Sequence, residues 1–275
     1  MNINISEAVR EAKIMIEPVA HEEALQQAKI FVSTIAGIDV GALSIHSDMI
    51  LMDEQIADLG EMLERRLKGE PVQYILGEWA FYGLPFYVDE RALIPRQDTE
   101  LLVETAIRMI RERGYHDCLD LCTGTGCVGI SIAKNTDVSM TASDISRDAL
   151  ELAKENAELN EVSVSFIESD LFQSIEGSFD LIVCNPPYLT LDDMQALQQE
   201  LTFEPKLALY GGGDGLDFFR KIAWEYQKHL NQGGMILFEI GNTQAKTAAS
   251  PFNDAKTSVL NDLGGNPRVL IVEPN

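Results

Sequence analysis

Strand and helix patterns alternate through the second half of this 275-residue chain, and the alternation limits the folds open to it. Short apolar runs such as CLDLC, VSMTASD and FDLIVC alternate with segments of helical spacing such as RDALELAKENAEL. This order predicts an α/β fold, a mostly parallel sheet with helices on both faces. Ligands bind such sheets beyond the carboxyl ends of the strands. The residues at those ends are therefore the first candidates for function.

Four successive predicted strands end in side chains that accept hydrogen bonds. These side chains are Asp120, Asp144, Asp170 and Asn185. Because parallel strands bring their carboxyl ends to one edge of a sheet, we expect the four groups to line one crevice.

A glycine-rich loop follows the first of these strands. Gly124, Gly126 and Gly129 have the spacing G-x-G-x-x-G between a strand and a helix, and Asp144 lies twenty residues beyond Gly124. Glycines let the backbone approach a ligand closely, and an acid at the second strand end can accept both hydroxyls of a ribose. We therefore predict a nucleotide-like cofactor bound by Asp144 and by the loop residues Cys122, Thr123, Gly124, Thr125 and Gly126. The structural alternative is a tight glycine turn that only caps a helix.

Both NAD and S-adenosylmethionine fit an acid at the second strand end, and two features favour S-adenosylmethionine. Asp120 can accept a hydrogen bond from a ligand ammonium group, whereas it would repel the pyrophosphate of a dinucleotide. Asp170 is placed to bind an adenine amino group, with Leu171 and Phe172 flanking the ring, although a carboxylate there can also simply cap its loop. The predicted product is S-adenosylhomocysteine.

The sequence Asn185-Pro186-Pro187-Tyr188 ends the fourth strand in a stiff segment, because proline fixes φ and donates no backbone hydrogen bond. A planar amide or amino nitrogen is a poor nucleophile. Two fixed acceptors, the Asn185 side-chain oxygen and the Pro186 carbonyl, can favour its pyramidal form as positive charge develops. Tyr188 can stack on the planar group. We predict that Asn185, Pro186 and Tyr188 are catalytic, and that Pro187 joins them in binding the substrate. Asn185 is also predicted to contact the cofactor.

The net charge of −23 disfavours a nucleic-acid substrate, because proteins that follow a phosphate backbone usually carry a basic face. A basic protein partner is more compatible with this charge. No apolar run approaches the ~20 residues that span a bilayer, and the N-terminus lacks the pattern of an export signal. We therefore expect a cytoplasmic protein without membrane contact. A monomer is also expected.

The four cysteines give no disulfide framework, which suits a reducing compartment. Cys118, Cys122 and Cys127 also lack the paired spacing of structural zinc sites, so no metal is expected.

The first part of the chain differs from the rest. Apolar residues recur at helical spacing between residues 6 and 68, and the following stretch to residue 96 has the alternating aromatics and the turn residues of a β-hairpin. Thr99 is a candidate N-cap for a helix that runs to Arg113. We predict a helical domain at 1–70, a β-hairpin linker at 71–96 and a third region, the sheet domain, at 97–275.

These motifs resemble the HemK/PrmC family of protein-(glutamine-N5) methyltransferases over nearly the whole chain. The carrying segments are the LIPRQDTE element, DLCTGTGCVGISIA, SDIS, SDLF, NPPY, the EPKLALYGGGDGLDFFRKI stretch and FEIGNTQ. NPPY alone is shared with adenine-N6 DNA methyltransferases, and the other segments make the distinction. An adenine-N6 nucleic-acid methyltransferase is the main alternative; an NAD-linked oxidoreductase and a non-catalytic cofactor-binding regulator remain open as well.

The resemblance implies a Rossmann-like methyltransferase domain with a mostly parallel seven-stranded sheet, joined to a small N-terminal helical domain that helps to dock the substrate. It implies S-adenosylmethionine-dependent N5-methylation of the glutamine in the Gly-Gly-Gln motif of peptide chain release factors. It also places Arg96 and Thr99 close to the active site, with Arg96 in contact with the substrate.

Three positions depart from the family pattern. Cys122 stands where the glycine loop usually begins with glycine, and Gln97 replaces a common proline. The segment ASPFND interrupts an expected late helix. We expect Cys122 to change the affinity for the cofactor. We expect Gln97 to loosen the turn in which it lies.

Overall fold

The computed structural model describes residues 3–275, and these divide into two compact units. One unit comprises the chain before Glu78 together with Gln198–Phe203, and the other comprises Glu78–Leu197 with Glu204–Asn275. The first unit is helical, and the second is built around a sheet. Each has a hydrophobic core of its own.

The helical unit confirms the prediction of a helical N-terminal region. Its helices are α1 (Ile5–Ala20), α2 (Ala24–Ala36), α3 (Asp53–Leu67) and α4 (Val72–Leu76). Helix α1 begins at a capping box, in which Asn4 and Glu7 satisfy each other's backbone N–H groups. Helix α2 ends at Gly37, whose φ of 65° is the left-handed conformation that favours glycine. Apolar side chains at helical spacing form the core between α1, α2 and α3.

The predicted hairpin is shorter than the stretch 71–96. Its strands are β1 (Glu78–Phe81) and β2 (Leu84–Tyr87), joined by a two-residue turn in which Tyr82 and Gly83 both have positive φ. Turns of this kind match the twist of the flanking strands. The residues just before the hairpin form helix α4 instead of a strand, because Val72, Tyr74 and Ile75 are buried at helical spacing in the first unit.

The sheet of the second unit has seven strands, as the resemblance implied. They are β3 (Asp117–Leu121), β4 (Ser139–Asp144), β5 (Ser165–Glu168), β6 (Phe179–Cys184), β7 (Leu230–Glu239), β8 (Ala255–Asn261) and β9 (Pro267–Pro274). Their order is β5-β4-β3-β6-β7-β9-β8. The first five are parallel, and β9 runs antiparallel to both of its neighbours. The fold-class prediction is confirmed.

Helices cover both faces of this sheet, which explains why its central strands are almost continuously apolar. They are α5 (Glu100–Arg113), α6 (Cys127–Asn135), α7 (Arg147–Leu159), α9 (Asp217–Glu225) and α10 (Ala245–Ala249). The short helix α8 (Leu191–Gln195) buries none of its residues. In β6, Leu181 and Val183 enter one core while Ile182 and Cys184 enter the other. From residue 3 to residue 275, no helix combines the length and apolarity needed to cross a membrane.

Thr99 occupies the N-cap position of α5, as predicted, but its side chain makes no capping hydrogen bond. A 3-10 turn, Gln97–Thr99, precedes the helix, and Thr99 has a helical φ of −68°. Its side chain is 2% exposed and makes other contacts, described below. Gln97, which stands where the family commonly has proline, begins this turn.

Arg66 is the largest fully buried side chain of the helical unit, with 1% of its surface exposed. Its Nε donates to Gln27 Oε1 at 2.8 Å, and its Nη1 donates to the Glu70 carbonyl at 3.3 Å. Nη2 pairs with Glu200, which lies in the segment Gln198–Phe203. A buried guanidinium is tolerated because its donors are satisfied in this way.

We predict that Arg66→Ala lowers the free energy of unfolding of the helical unit by on the order of 3 kcal/mol, since it removes a buried cation and leaves its acceptors unpaired. The matched control is Lys13→Ala, because Lys13 forms an exposed pair with Glu17 and should change stability by less than about 0.5 kcal/mol. Chemical denaturation measures both. Equal effects of the two substitutions would contradict the structural role of Arg66.

Candidate active site

A cavity of about 250 Å³ lies beyond the carboxyl ends of the parallel strands. Most of the predicted cofactor and substrate residues line it. They are Arg96, Asp120, Cys122, Thr123, Gly124, Thr125, Asp144, Asp170, Leu171, Asn185 and Pro187. The strand-end residues Asp120, Asp144, Asp170 and Asn185 therefore surround one crevice, as their positions in the sequence suggested.

The glycine loop connects β3 to α6 and folds against the end of β4. The Gly124 N–H donates to Asp144 Oδ2 at 2.9 Å, and the Thr123 N–H donates to the Ser143 carbonyl at 2.9 Å. A Cβ at Gly126 would come within 3.1 Å of Ala153 Cβ on α7. The loop is thus held by backbone groups, and glycine at Gly126 allows α6 to pack closely on α7.

Asp120 is buried beneath this loop, with 1% of its surface exposed. Its Oδ2 accepts the Thr123 hydroxyl at 2.6 Å and the Gly129 N–H at 2.9 Å. A Cβ at Gly129 would lie 2.9 Å from that same oxygen, so the approach requires glycine. Burial raises the pKa of Asp120 to about 7, against the opposing effect of the two hydrogen bonds. The carboxylate is a poorly hydrated charge at the cavity wall, suited to a cationic ligand.

Asp144 ends β4 with one backbone donor on each oxygen, Gly124 on Oδ2 and Ser146 on Oδ1, both at 2.9 Å. Burial raises its pKa, which these hydrogen bonds oppose. Each oxygen retains a lone pair for a ligand, which is the arrangement that a pair of ribose hydroxyls requires.

Asp170 and Leu171 lie just after β5 and line the cavity, but Phe172 does not face it. The Phe172 ring stacks on His229 at 4.5 Å between centroids and 7° between planes. A flanking role for Phe172 at an adenine ring stays a prediction. Neighbouring apolar lining comes from Leu207 and Phe218, which the sequence reading did not assign.

Asn185 follows β6 and is half-buried at the cavity wall, with Pro187 also in the lining. Its Nδ2 lies 3.5 Å from Thr99 Oγ1. Pro186 is buried, and Tyr188 packs against the apolar core below the sheet. Burial raises the pKa of Tyr188 to about 12, so the phenol stays neutral at physiological pH.

The backbone after Tyr188 is fixed by a second segment of chain. The Leu189 N–H donates to the Leu209 carbonyl at 2.9 Å, and the Gly211 N–H donates to the Leu189 carbonyl at 2.8 Å. Gln244 Nε2 donates to the Tyr188 carbonyl at 3.1 Å. These hydrogen bonds hold the segment that the two prolines already make stiff. They come from residues that no sequence pattern connected with Asn185.

Arg96 lines the cavity and is paired with Glu204, a carboxylate that is 4% exposed. Glu204 also accepts the Ile94 N–H on Oε2 at 3.0 Å. The segment before α5 is therefore anchored to a residue far along the chain. A further anchor, the buried side chain of Asn156, bonds the backbone of Tyr87 and the Thr125 carbonyl, and so joins the hairpin to the glycine loop.

Cys122 has a φ of 62°, the left-handed region in which glycine is usual. The position tolerates a side chain, as the departure from the family pattern required, because the half-buried thiol packs against the lower core and contacts Cys184.

The cavity also has lining residues to which the sequence analysis assigned no role. They are Ala92, Ile145, Leu207, Ala208, Phe218 and Lys221. Phe218 and Lys221 lie in the family-like GLDFFRKI stretch, which was the available signal. Throughout residues 3–275, no group of three or more His, Cys, Asp or Glu side chains is arranged to hold a metal ion.

Comparison with known proteins identifies both parts of the chain. The family model for the methyltransferase small domain matches residues 97–244, and the model for the PrmC N-terminal domain matches residues 7–77. A release factor glutamine methyltransferase of Fusobacterium nucleatum is 40% identical over 250 residues, which cover 88% of this chain and 71% of the relative. One of Geobacter sulfurreducens is 39% identical over 237 residues, covering 84% and 82%.

Among solved structures, a 16S rRNA N2 G1207 methyltransferase of T. thermophilus, in complex with AdoMet and guanosine, has a TM-score of 0.51. It is 16% identical, and the match covers 72% of this chain and 50% of that one. This likeness concerns the fold alone.

We predict that Gly211→Ala is damaging, because a Cβ there would lie 2.6 Å from the Pro187 carbonyl oxygen and 2.7 Å from Tyr188 Cα. Neither backbone atom can move without shifting Asn185. The substitution should lower the free energy of unfolding by about 2 kcal/mol and turnover by about tenfold or more. Denaturation and steady-state kinetics measure the two effects.

Gly213→Ala is the matched control, because a Cβ at Gly213 meets no atom within 4 Å and its φ lies outside the left-handed region. It should leave stability within about 0.5 kcal/mol. If Gly211→Ala behaved like this control, the backbone contact would not position the site.

Asp120→Asn should stabilise the fold and weaken cofactor binding. Because the pKa of Asp120 is raised to about 7 in the folded state, ionisation costs stability as the pH rises from its ordinary pKa of 3.8 through 7. We expect the variant to gain about 1 to 3 kcal/mol at pH 8 and nothing below about pH 4. Affinity for a cationic cofactor should fall by about tenfold or more. Denaturation at several pH values and calorimetry test this; unchanged affinity would exclude an ammonium partner for Asp120.

Proposed function

The chain belongs to the release factor glutamine methyltransferase family, and we propose that it methylates the side-chain N5 of the glutamine in the Gly-Gly-Gln motif of peptide chain release factors, with S-adenosylmethionine as donor. The observation that carries the proposal is that Asn185 and the glycine loop line one cavity. A group that grips a planar nitrogen thus stands beside a site for a nucleoside cofactor.

The residues of the cavity fit S-adenosylmethionine. Asp144 offers two carboxylate oxygens to ribose hydroxyls, and the buried carboxylate of Asp120 offers a partner to the amino acid ammonium group. Asp170 and Leu171 are available to the adenine. When bound, this cofactor supplies an electrophilic methyl group on a sulfonium, and the carboxylates of the cavity complement its positive charge.

Asn185 and Pro186 act on the nucleophile. The glutamine amide nitrogen has a delocalised lone pair, and it becomes nucleophilic only as it turns pyramidal. Its two N–H groups donate to Asn185 Oδ1 and to the Pro186 carbonyl. Both hydrogen bonds strengthen as positive charge builds on nitrogen, so they stabilise the transition state more than the ground state. A methylated, cationic amide nitrogen is strongly acidic, so it loses its proton without a strong base.

Rigidity around the amide sets the direction of attack. Pro187 and the backbone bonds to Leu209 and Gly211 hold the acceptors still. Tyr188 remains a neutral phenol, since its pKa is about 12. Its ring packs against the core, and stacking of this ring on the planar amide stays a prediction. Arg96 is fixed by Glu204, and we assign it to substrate binding. Each group limits the substrate to an in-line approach.

Surface charge supports a protein substrate. A net charge of −23 favours a basic protein partner and disfavours direct contact with nucleic acid. We assign docking of the release factor to the helical unit and the chemistry to the sheet unit. Four unpaired cysteines suit a reducing compartment such as the cytoplasm.

Asn185→Ala should abolish turnover, with a loss of about a thousandfold, because it removes one of two acceptors that act in the transition state. Cofactor affinity should change by less than about threefold, since the Asp144 and Asp120 contacts remain. Single-turnover kinetics and calorimetry measure these two quantities. The exposed Asn253→Ala is the control and should match the wild type. Loss of cofactor binding together with turnover would instead make Asn185 a structural residue.

The reaction itself is tested with purified release factor and S-adenosylmethionine. Peptide mapping by mass spectrometry should locate a gain of one CH2 mass on the glutamine of the Gly-Gly-Gln peptide. A release factor with that glutamine replaced should gain none. Methylation of duplex DNA in a parallel reaction, without methylation of the release factor, would replace the proposal with an adenine-N6 activity.

A further inference from the structure

Glu239 is a buried acid that the proposed reaction does not use. It ends β7 at the same edge of the sheet as Asn185, and it is 2% exposed. Within the described part of the chain, its Oε2 has no hydrogen-bond partner. Burying a carboxyl group costs free energy, and a carboxyl that is only partly satisfied costs more. Such a group beside a catalytic strand end calls for a functional explanation.

The contacts of Glu239 lead to Asn185. The Thr99 side chain hydrogen-bonds to the Glu239 carboxyl, and Thr99 Oγ1 lies 3.5 Å from Asn185 Nδ2. Thr99 is itself 2% exposed, so solvent does not compete for its hydroxyl. A continuous path of polar groups thus connects Glu239 to the side chain that grips the substrate.

The direction of these hydrogen bonds depends on the charge of Glu239. A hydroxyl has one proton to donate, and an ionised carboxylate can only accept. When Glu239 is ionised, the Thr99 hydroxyl donates a hydrogen bond to the Glu239 carboxylate. The lone pairs of the Thr99 oxygen then point toward Asn185. Asn185 Nδ2 then donates to Thr99, which leaves Asn185 Oδ1 for the substrate amide.

We propose that Glu239 is a positioning residue for methyl transfer: as a carboxylate it fixes the Thr99 hydroxyl, and the hydroxyl fixes the Asn185 amide with Oδ1 facing the substrate. The proposal rests on the proposed function, because it concerns how Asn185 is presented to a glutamine amide. When Glu239 is protonated, its carboxyl O–H can donate a hydrogen bond to the Thr99 oxygen. The Thr99 hydroxyl is then free to donate a hydrogen bond to Asn185 Oδ1. That arrangement occupies the acceptor that the substrate needs.

The charged surroundings of Glu239 come from several elements. Arg268 on β9 pairs with Asp98 at 2.9 Å and with Asp262 at 3.5 Å. Arg96, Tyr188 and the buried thiol of Cys127 are further titratable neighbours. Burial raises the pKa of Glu239 to about 7; Thr99 and Arg268 oppose the rise, and Asp98 adds to it. The active, ionised form should therefore increase as the pH rises through about 7.

The first test measures kcat against pH at saturating cofactor, for the wild type and Glu239→Gln. The wild-type kcat should rise through about pH 7 to a plateau, and the variant should show a flat profile about tenfold to a hundredfold lower. Saturation removes the effect of Asp120, whose pKa is also about 7 but which acts on cofactor affinity. Calorimetric affinity for the cofactor should stay near its wild-type value. Because ionised Glu239 costs stability in the folded state, the thermal midpoint of the variant should equal that of the wild type near about pH 4 and lie at or above it at about pH 8. A merely structural role would instead lower the midpoint.

The second test uses variants of Thr99. It tests the proposal even if the Glu239→Gln variant does not fold. Thr99→Ser keeps the hydroxyl and should retain most of the wild-type kcat, whereas Thr99→Val removes it and should lose as much as Glu239→Gln. The double variant Glu239→Gln, Thr99→Val should have a kcat no lower than that of the slower single variant, because the two residues act through one path.

The outcomes separate the two proposals. If the wild type is active and Glu239→Gln has the same kcat and the same pH profile, the positioning role alone is overturned. Wild-type turnover by Thr99→Val would overturn it as well. A wild-type protein that does not methylate release factor overturns the proposed function, and the positioning role falls with it.

Discussion

The parallel pairing of β3 with β6 is the constraint on which the active site depends. Leu121 lies opposite Cys184 in this register, so the next residue of each strand, Cys122 and Asn185, leaves the sheet at the same point. One strand continues into the glycine loop and the other into the two prolines. A slip of the register by one residue would turn Asn185 to the other face and separate it from the cofactor loop. The apolar residues that alternate between the two cores prevent that slip.

Buried acids concentrate at this same edge. Burial raises the pKa of Asp120, Asp144 and Glu239 alike, and each is only partly compensated by hydrogen bonds. Such groups destabilise the fold when ionised, so a stable scaffold must surround them. Asp120 and Asp144 line the cavity that we propose for a cationic cofactor, and Glu239 lies behind Asn185, the residue that we propose holds the nucleophile. In the proposed reaction, the negative charge of these acids complements the positive charge on the ligand before methyl transfer. It also complements the positive charge that develops on the substrate nitrogen during the transfer.

The sequence was sufficient for the features that local pattern determines. The strand ends Asp144 and Asn185, the glycine loop and the helix stop at Gly37 all follow from residues within a few positions of one another. Contacts between distant residues were not predictable in the same way. Ile94 and Glu204 are 110 positions apart, and nothing in either segment specifies the other.

Competing interactions explain the remaining differences. Thr99 has the residue type of an N-cap, yet its hydroxyl is used at Glu239 and Asn185 because the fold buries it there. Helix α4 forms within a stretch of hairpin composition because its apolar residues are needed in the helical core. Phe172 stacks on His229, a partner that sequence spacing does not reveal. The roles of the individual site residues stay predictions.

The central claim is that the side-chain nitrogen of a release factor glutamine is the methyl acceptor. The most direct measurement uses S-adenosylmethionine with an isotope-labelled methyl group and release factor with isotope-labelled glutamine side-chain nitrogen. Nuclear magnetic resonance of the product should show one methyl resonance coupled to that nitrogen, in the Gly-Gly-Gln motif. A methyl group attached to any other atom, or no transferred methyl group, would contradict the account.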